Sequence, residues 1–186
     1  GGDMSGSTLA ENLGSTDIEV QSSQGGTGSG GNIYVNESVS WHSGTTLTLK
    51  VVNNIYINNV IDAGADGGGR LVLKFGQGNA NGYVTGSDGN PTTTLADYYL
   101  GSNGKVRLQS GANFATQLGS AGARREFNVI TTLAELRASG SSDFALGDDI
   151  DASETRSSGF APLTLVNGRY VDGLGHAIST LNISAS

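Results

Sequence analysis

Short apolar–X–apolar triplets recur along the chain, separated by runs of glycine, asparagine, serine and aspartate. They are Ile18-Glu19-Val20, Ile33-Tyr34-Val35, Leu47-Thr48-Leu49, Ile55-Tyr56-Ile57, Leu71-Val72-Leu73 and Val106-Arg107-Leu108, followed by Phe127-Asn128-Val129, Phe144-Ala145-Leu146 and Leu181-Asn182-Ile183. Each is long enough for one very short strand and too short to form a core alone, so stacking is the expected solution. Strand side chains alternate, which puts the outer two residues of a triplet on one face and the middle one on the other. The middle residues include Glu19, Tyr34, Thr48, Tyr56 and Arg107, with Val72 and Ala145 as exceptions. This pattern predicts an all-β chain with an apolar interior and a solvated exterior, stacked as a parallel β-helix, or β-solenoid. An antiparallel sandwich would show the same alternation, but long hairpin-forming strand pairs are missing.

The regularity divides the chain. Residues 18–75 are expected to form regular coils, with turn formers such as Ser43-Gly44 and Asn53-Asn54 at the corners. The glycine-rich runs Gly25 to Gly31 and Asp62 to Gly69 read as further corners. Residues 76–104 break the pattern and read as a loop excursion, where binding is expected to sit. Residues 105–126 resume as coil and loop, and 127–186 carry altered coils. One short helix is expected at Thr131–Ala138, capped by Thr131 or Thr132, with Leu133 and Leu136 on one face.

Composition narrows the function classes. Glycine supplies 30 of 186 residues without a collagen period, and only two prolines occur, so neither a triple helix nor a proline-rich linker fits. A formal charge of −7 disfavours nucleic-acid binding, since it repels phosphate. No apolar stretch approaches the ~20 residues that span a bilayer, so membrane insertion is not expected. The start, Gly1-Gly2-Asp3-Met4, lacks the basic and apolar segments of a signal peptide. The chain is therefore expected to be a piece of a longer protein. Cysteine is absent, which suits exported bacterial chains that cross membranes unfolded and excludes thiolate metal sites and cysteine nucleophiles.

The stretch Gly31-Asn32-Ile33-Tyr34-Val35-Asn36, Ser40-Trp41, Leu47-Thr48-Leu49, Asn54-Ile55-Tyr56-Ile57-Asn58 and Ile61-Asp62-Ala63 resembles the filamentous-haemagglutinin-like exoproteins, large adhesins exported by two-partner secretion. Phe144 to Ala152 and Asp172 to Ile183 resemble a GLUG-type repeat of bacterial surface proteins. The resemblance covers about two thirds of the chain. It implies a right-handed parallel β-helix serving as a non-enzymatic passenger segment of a secreted, surface-displayed adhesin. Its implied partners are a host-cell glycan or surface protein, and an outer-membrane secretion partner engaging a region outside this chain. Two alternatives are a carbohydrate-active domain of the lyase or glycosidase type and a host-protein-binding module.

Candidate chemistry is sparse. Asp148, Asp149 and Asp151 could hold calcium, which prefers oxygen ligands, but they lack EF-hand spacing and equally suit turn hydrogen bonds. Asp62 and Asp66 read the same way. Hydrolysis needs two carboxylates at a suitable separation, and nothing in the pattern brings Asp88, Asp97 or Asp143 together with a base. His42 and His176 are the only histidines, and corner packing and a structural hydrogen bond are their expected roles. The better binding candidates are aromatic: Tyr34 and Tyr56, outward on stacked coils, and Tyr83, Tyr98 and Tyr99 of the excursion. Tyrosine offers flat apolar area with a hydroxyl, suited to glycans and protein hot spots. The alternative is that these rings shield the sheet. Asn36-Glu37-Ser38 and Asn182-Ile183-Ser184 match a glycosylation pattern that arises often by chance in such a chain.

Overall fold

A computed structural model describes residues 4–22, 30–64, 68–163 and 168–184. The turn segment 25–29 and the corner segment 65–67, which contains Asp66, lie outside the described residues. Ile18–Gln21, Thr46–Lys50, Arg70–Phe75 and Gly111–Leu118 lie side by side, parallel and in register. Equivalent triplet positions therefore stack in columns: Ile18, Leu47, Leu71 and Phe114 form one. A second parallel sheet joins Ile33–Val35, Ile55–Ile57 and Tyr98–Leu100. A third joins Val39–Ser40, Val60–Asp62 and Lys105–Arg107. Their apolar residues meet in one core that includes Leu49, Ile55, Ile61, Leu73, Val106 and Phe114.

Trp41 lies in that core at 2% exposure, and its Nε1 donates to the Thr45 carbonyl at 3.2 Å. A Cβ on Gly69 would come within 2.5 Å of Nε1, so the indole fits only beside a residue without a side chain.

The expectation of a single all-β right-handed β-helix is overturned. The chain is mixed α/β, with several separate sheets that are mostly parallel. Part of the reason is a reversal. Gly119, at φ +76, turns the chain so that Arg125–Ile130 pairs antiparallel with Gly111–Leu118. A triplet pattern fixes which face is apolar and says nothing of strand direction.

The deeper reason is a second core on the opposite face. Phe127, Val129 and Ala145 join the first core, whereas Ile130, Phe144 and Leu146 join a second one with Leu133, Leu136 and Phe160. The strand Phe144–Leu146 is buried on both sides, its middle alanine facing one core and its outer residues the other. Placing the outer residues opposite inverts the inside and outside of the repeat, as a one-residue shift always does along a strand.

Three α-helices occur among the described residues, where one was expected. Leu133–Ala138 is the expected one, and Thr132 caps it through a reciprocal bond with Glu135. It covers the second core with Leu133 and Leu136. Gly6–Leu13, capped by Ser5, lays Leu9, Ala10 and the fully buried Leu13 against the first core. It is pinned there by Ser43 and Thr45, whose hydroxyls donate to the Leu13 carbonyl, and by Glu37, which accepts the Gly6 N–H at 2.7 Å. Thr155–Ser158 is a single turn.

Within residues 76–104, Tyr83–Thr85 and Pro91–Leu95 form an antiparallel hairpin whose second strand is exposed throughout. Tyr98–Leu100, by contrast, returns to the second sheet.

Candidate functional site

Parallel register puts Tyr34 opposite Tyr56 and Tyr56 opposite Tyr99. The rings stack in a continuous row. Tyr34 and Tyr56 lie 4.8 Å apart between centroids at 7°, and Tyr56 and Tyr99 lie 5.3 Å apart at 21°. Those separations are close to the ~4.8 Å between neighbouring strands, so the sheet itself sets the ring spacing. Tyr34 and Tyr99, at the two ends, are 47% and 45% exposed, while Tyr56 between them is half-buried by its neighbours. Aromatic pairs of this kind contribute about 0.5–1.5 kcal/mol beyond burial, so stacking orders the row before any ligand arrives.

Asparagines flank the row. Asn58 Nδ2 donates to Asn36 Oδ1 at 2.8 Å on one side. On the other, the Asn54 N–H donates to Asn32 Oδ1 and the Asp97 N–H to Asn54 Oδ1, both at 2.9 Å. These side chains hold the strand ends in line and place amides beside the phenols. The result is a flat, ordered strip of phenol and amide groups.

The other two tyrosine candidates lie elsewhere. Tyr83 sits on the hairpin, its backbone held by Asn79 at 3.0 Å. Tyr98 faces inward, because consecutive residues of a strand point to opposite faces. Its ring packs against Phe75 and Phe114, at 5.4 and 6.3 Å between centroids. Its hydroxyl donates to the Asp172 carboxylate. Burial, with that carboxylate alongside, pushes the phenol well above its usual range. The bond stitches the second sheet to the C-terminal part of the chain. Tyr98→Phe is expected to cost about 1.5–3 kcal/mol, since it strips a charged acceptor of its donor. Urea unfolding checks this, and an unchanged midpoint would show the bond to be idle.

The acidic candidates separate too. Asp148 and Asp149 come together with His176, their ligand atoms within 4.8 Å of one another. Asp151 lies outside this group and closes its own turn, accepting the Ser153 N–H at 2.9 Å. The group is already neutralised. Lys105 Nζ sits 3.0 Å from Asp149, and Arg107 sits 3.3 Å from Asp148. Asp149 also accepts the Ala177 N–H at 2.9 Å, and this bond, helped by Lys105, holds its carboxyl at about 2. His176 is spoken for as well, with Nε2 2.7 Å from the Val106 carbonyl and Nδ1 3.3 Å from Asp149. An imidazole and two cation-paired carboxylates do not fit calcium, which takes six to eight oxygens.

Beside this group runs an open groove of about 520 Å³, lined by Asp62, Arg107, Gln109, Thr131 and Asp148 among others. The Arg107 guanidinium lies between the carboxylates of Asp62 and Asp148, at 3.8 and 3.3 Å. Of the remaining acids named from the sequence, Asp143 is buried and ion-paired, and Asp88 closes the hairpin turn with Asn90. His42 is exposed.

Compared with protein-family models, curated proteins and solved structures, the chain finds no match.

Proposed function

We propose that this chain is a non-enzymatic attachment module of a secreted adhesin, displayed at a bacterial surface, and that the tyrosine row is its contact. The observation that carries this reading is the row itself. Three rings, pre-ordered by stacking and left at the surface, supply rigid amphipathic contact area at little entropic cost. Ordering side chains on binding costs about 0.5–1.5 kcal/mol for each flexible one, and this row has met that cost in folding. The sequence motifs quoted above support the adhesin context, and the absence of cysteine suits export.

The carbohydrate-active alternative would draw on the groove, which both Asp62 and Asp148 line. Arg107 is ion-paired with both, at 3.8 and 3.3 Å, whereas glycoside hydrolysis needs one of its pair as a protonated acid. That arrangement favours the attachment reading.

The test uses purified chain with a fluorescent label, applied to epithelial cells and to bacterial biofilm. Tyr34→Ser/Tyr56→Ser/Tyr99→Ser should lower binding by at least about tenfold, the scale of hot-spot aromatics. Tyr83→Ser, off the row, should leave binding unchanged. Retention of binding by the triple variant, with its fold intact by circular dichroism, would sink the proposal.

A further inference from the structure

We infer that the ligand of the tyrosine row is a neutral, extended β-1,4-linked polysaccharide lying along the row, one sugar ring to each tyrosine. This rests on the attachment reading and goes beyond it by naming the chemical class bound.

Spacing points to it first. The ring centroids repeat at 4.8 and 5.3 Å along the row. An extended β-1,4-linked chain advances one pyranose ring over nearly the same distance. Successive sugars can thus meet Tyr34, Tyr56 and Tyr99 in register. An α-1,4-linked chain coils and loses register after its first contact.

The stacking fixes how the sugars are held. Tyr56 has a ring against each face, so it presents only its edge and hydroxyl. A hydroxyl both donates and accepts, which suits the equatorial hydroxyls along the side of such a chain. The exposed amides of Asn36 and Asn58 extend this hydrogen-bonding strip to one side. Face-on stacking of sugars, the usual role of an isolated surface aromatic, is closed to the middle of the row.

Charge complementarity decides between glycan classes. None of the nine residues of Ile33–Val35, Ile55–Ile57 and Tyr98–Leu100 carries a formal charge at pH 7. The molecule around them carries −7, which repels sulfated, sialylated and uronate polymers and leaves a neutral chain unopposed.

Calorimetric titration of the whole chain with cello-oligosaccharides of increasing length tests the inference, with malto-oligosaccharides and heparin as comparisons. Affinity should tighten with each added ring until the three tyrosines are covered, then level off. Tyr56→Phe keeps the stack and removes one hydroxyl, and should weaken binding roughly three- to tenfold. Binding of malto-oligosaccharides with equal affinity, indifference to length, or indifference to Tyr56→Phe would each overturn it. So would a failure of every cello-oligosaccharide to bind. If that failure occurs while the triple serine variant still loses cell attachment, the row contacts a protein or a different glycan, and only the β-1,4 assignment falls. If the triple variant keeps attachment, the attachment reading itself falls.

Discussion

Phe114→Ala should lower unfolding stability by about 3–5 kcal/mol, the scale of a large aromatic truncated in a packed core. The ring is fully buried. It touches Phe127 at 5.1 Å and Tyr98 at 6.3 Å between centroids. It also sits opposite Leu71 in the parallel pairing and opposite Phe127 in the antiparallel one. Phe114 therefore occupies the column where the parallel stack hands over to the reversed strand. Three neighbours on different strands, the rings of Phe127 and Tyr98 and the side chain of Leu71, prevent the site from collapsing around an alanine, so most of the cavity will remain. Thermal unfolding should show Tm falling by roughly 10 °C for a chain of this size. Phe114→Leu keeps most of the volume and should cost about 1.5 kcal/mol or less. Equal costs for the two variants would mean the cavity is not the cause.

The tyrosine row was half legible in the sequence, for a definite reason. Tyr34 and Tyr56 are middle residues of matching triplets, and parallel stacking aligns equivalent positions, so an outward pair follows from the pattern. Tyr99 completes the row from a strand whose first residue is Tyr98, where the other triplets begin with an aliphatic or a phenylalanine. A search that admits only aliphatics and phenylalanine at the outer positions passes over that strand and leaves both tyrosines in a loop. Allowing a tyrosine at the first position would have found it, and alternation would have sent Tyr98 inward and Tyr99 outward. The reversal at Gly119 and the second core were not legible. A triplet such as Phe144-Ala145-Leu146 names one apolar face, and only contact with the helix Leu133–Ala138 reveals which side that face covers. The helix Gly6–Leu13 did carry a local signal in the Ser5 cap and in Leu9 and Leu13 at i, i+4. The acids are the opposite case. Asp148 and Asp149 look like metal ligands while their cations, Lys105 and Arg107, lie 41 or more residues away in sequence.

Asp143 should make the molecule sensitive to acid. It is buried, and its carboxylate accepts from Arg125 at 2.7 Å and from the Tyr170 N–H at 3.0 Å. The Arg125 guanidinium also lies over the Tyr170 ring at 3.7 Å. The knot ties the reversed strand to Tyr170, which leads into Val171–Asp172, the edge strand of the first sheet. Burial alone would push this carboxyl up, but the Tyr170 N–H and Arg125 outweigh it and hold it below the usual range. Asp143→Ala should cost about 2 kcal/mol by leaving the Tyr170 N–H and Arg125 without their acceptor. The figure stays below the 3–5 kcal/mol of a fully buried pair because the Arg125 side chain is 38% exposed and can rehydrate. The pH dependence follows from the sign of the shift. A carboxyl held lower in the folded state than in the unfolded one adds stability above the unfolded value and loses it as pH falls toward the folded one. Asp149 acts in the same direction, from the ordinary 3.8 down to about 2, and Glu135 of the helix cap is likewise held low. Urea midpoints should therefore hold from neutral pH to about pH 5 and drop between about pH 4 and 2. Asp143→Asn cannot titrate, so it should start lower at pH 7 and lose less on acidification. If wild type and variant fall by the same amount across that window, Asp143 is not among the groups that set the acid limit.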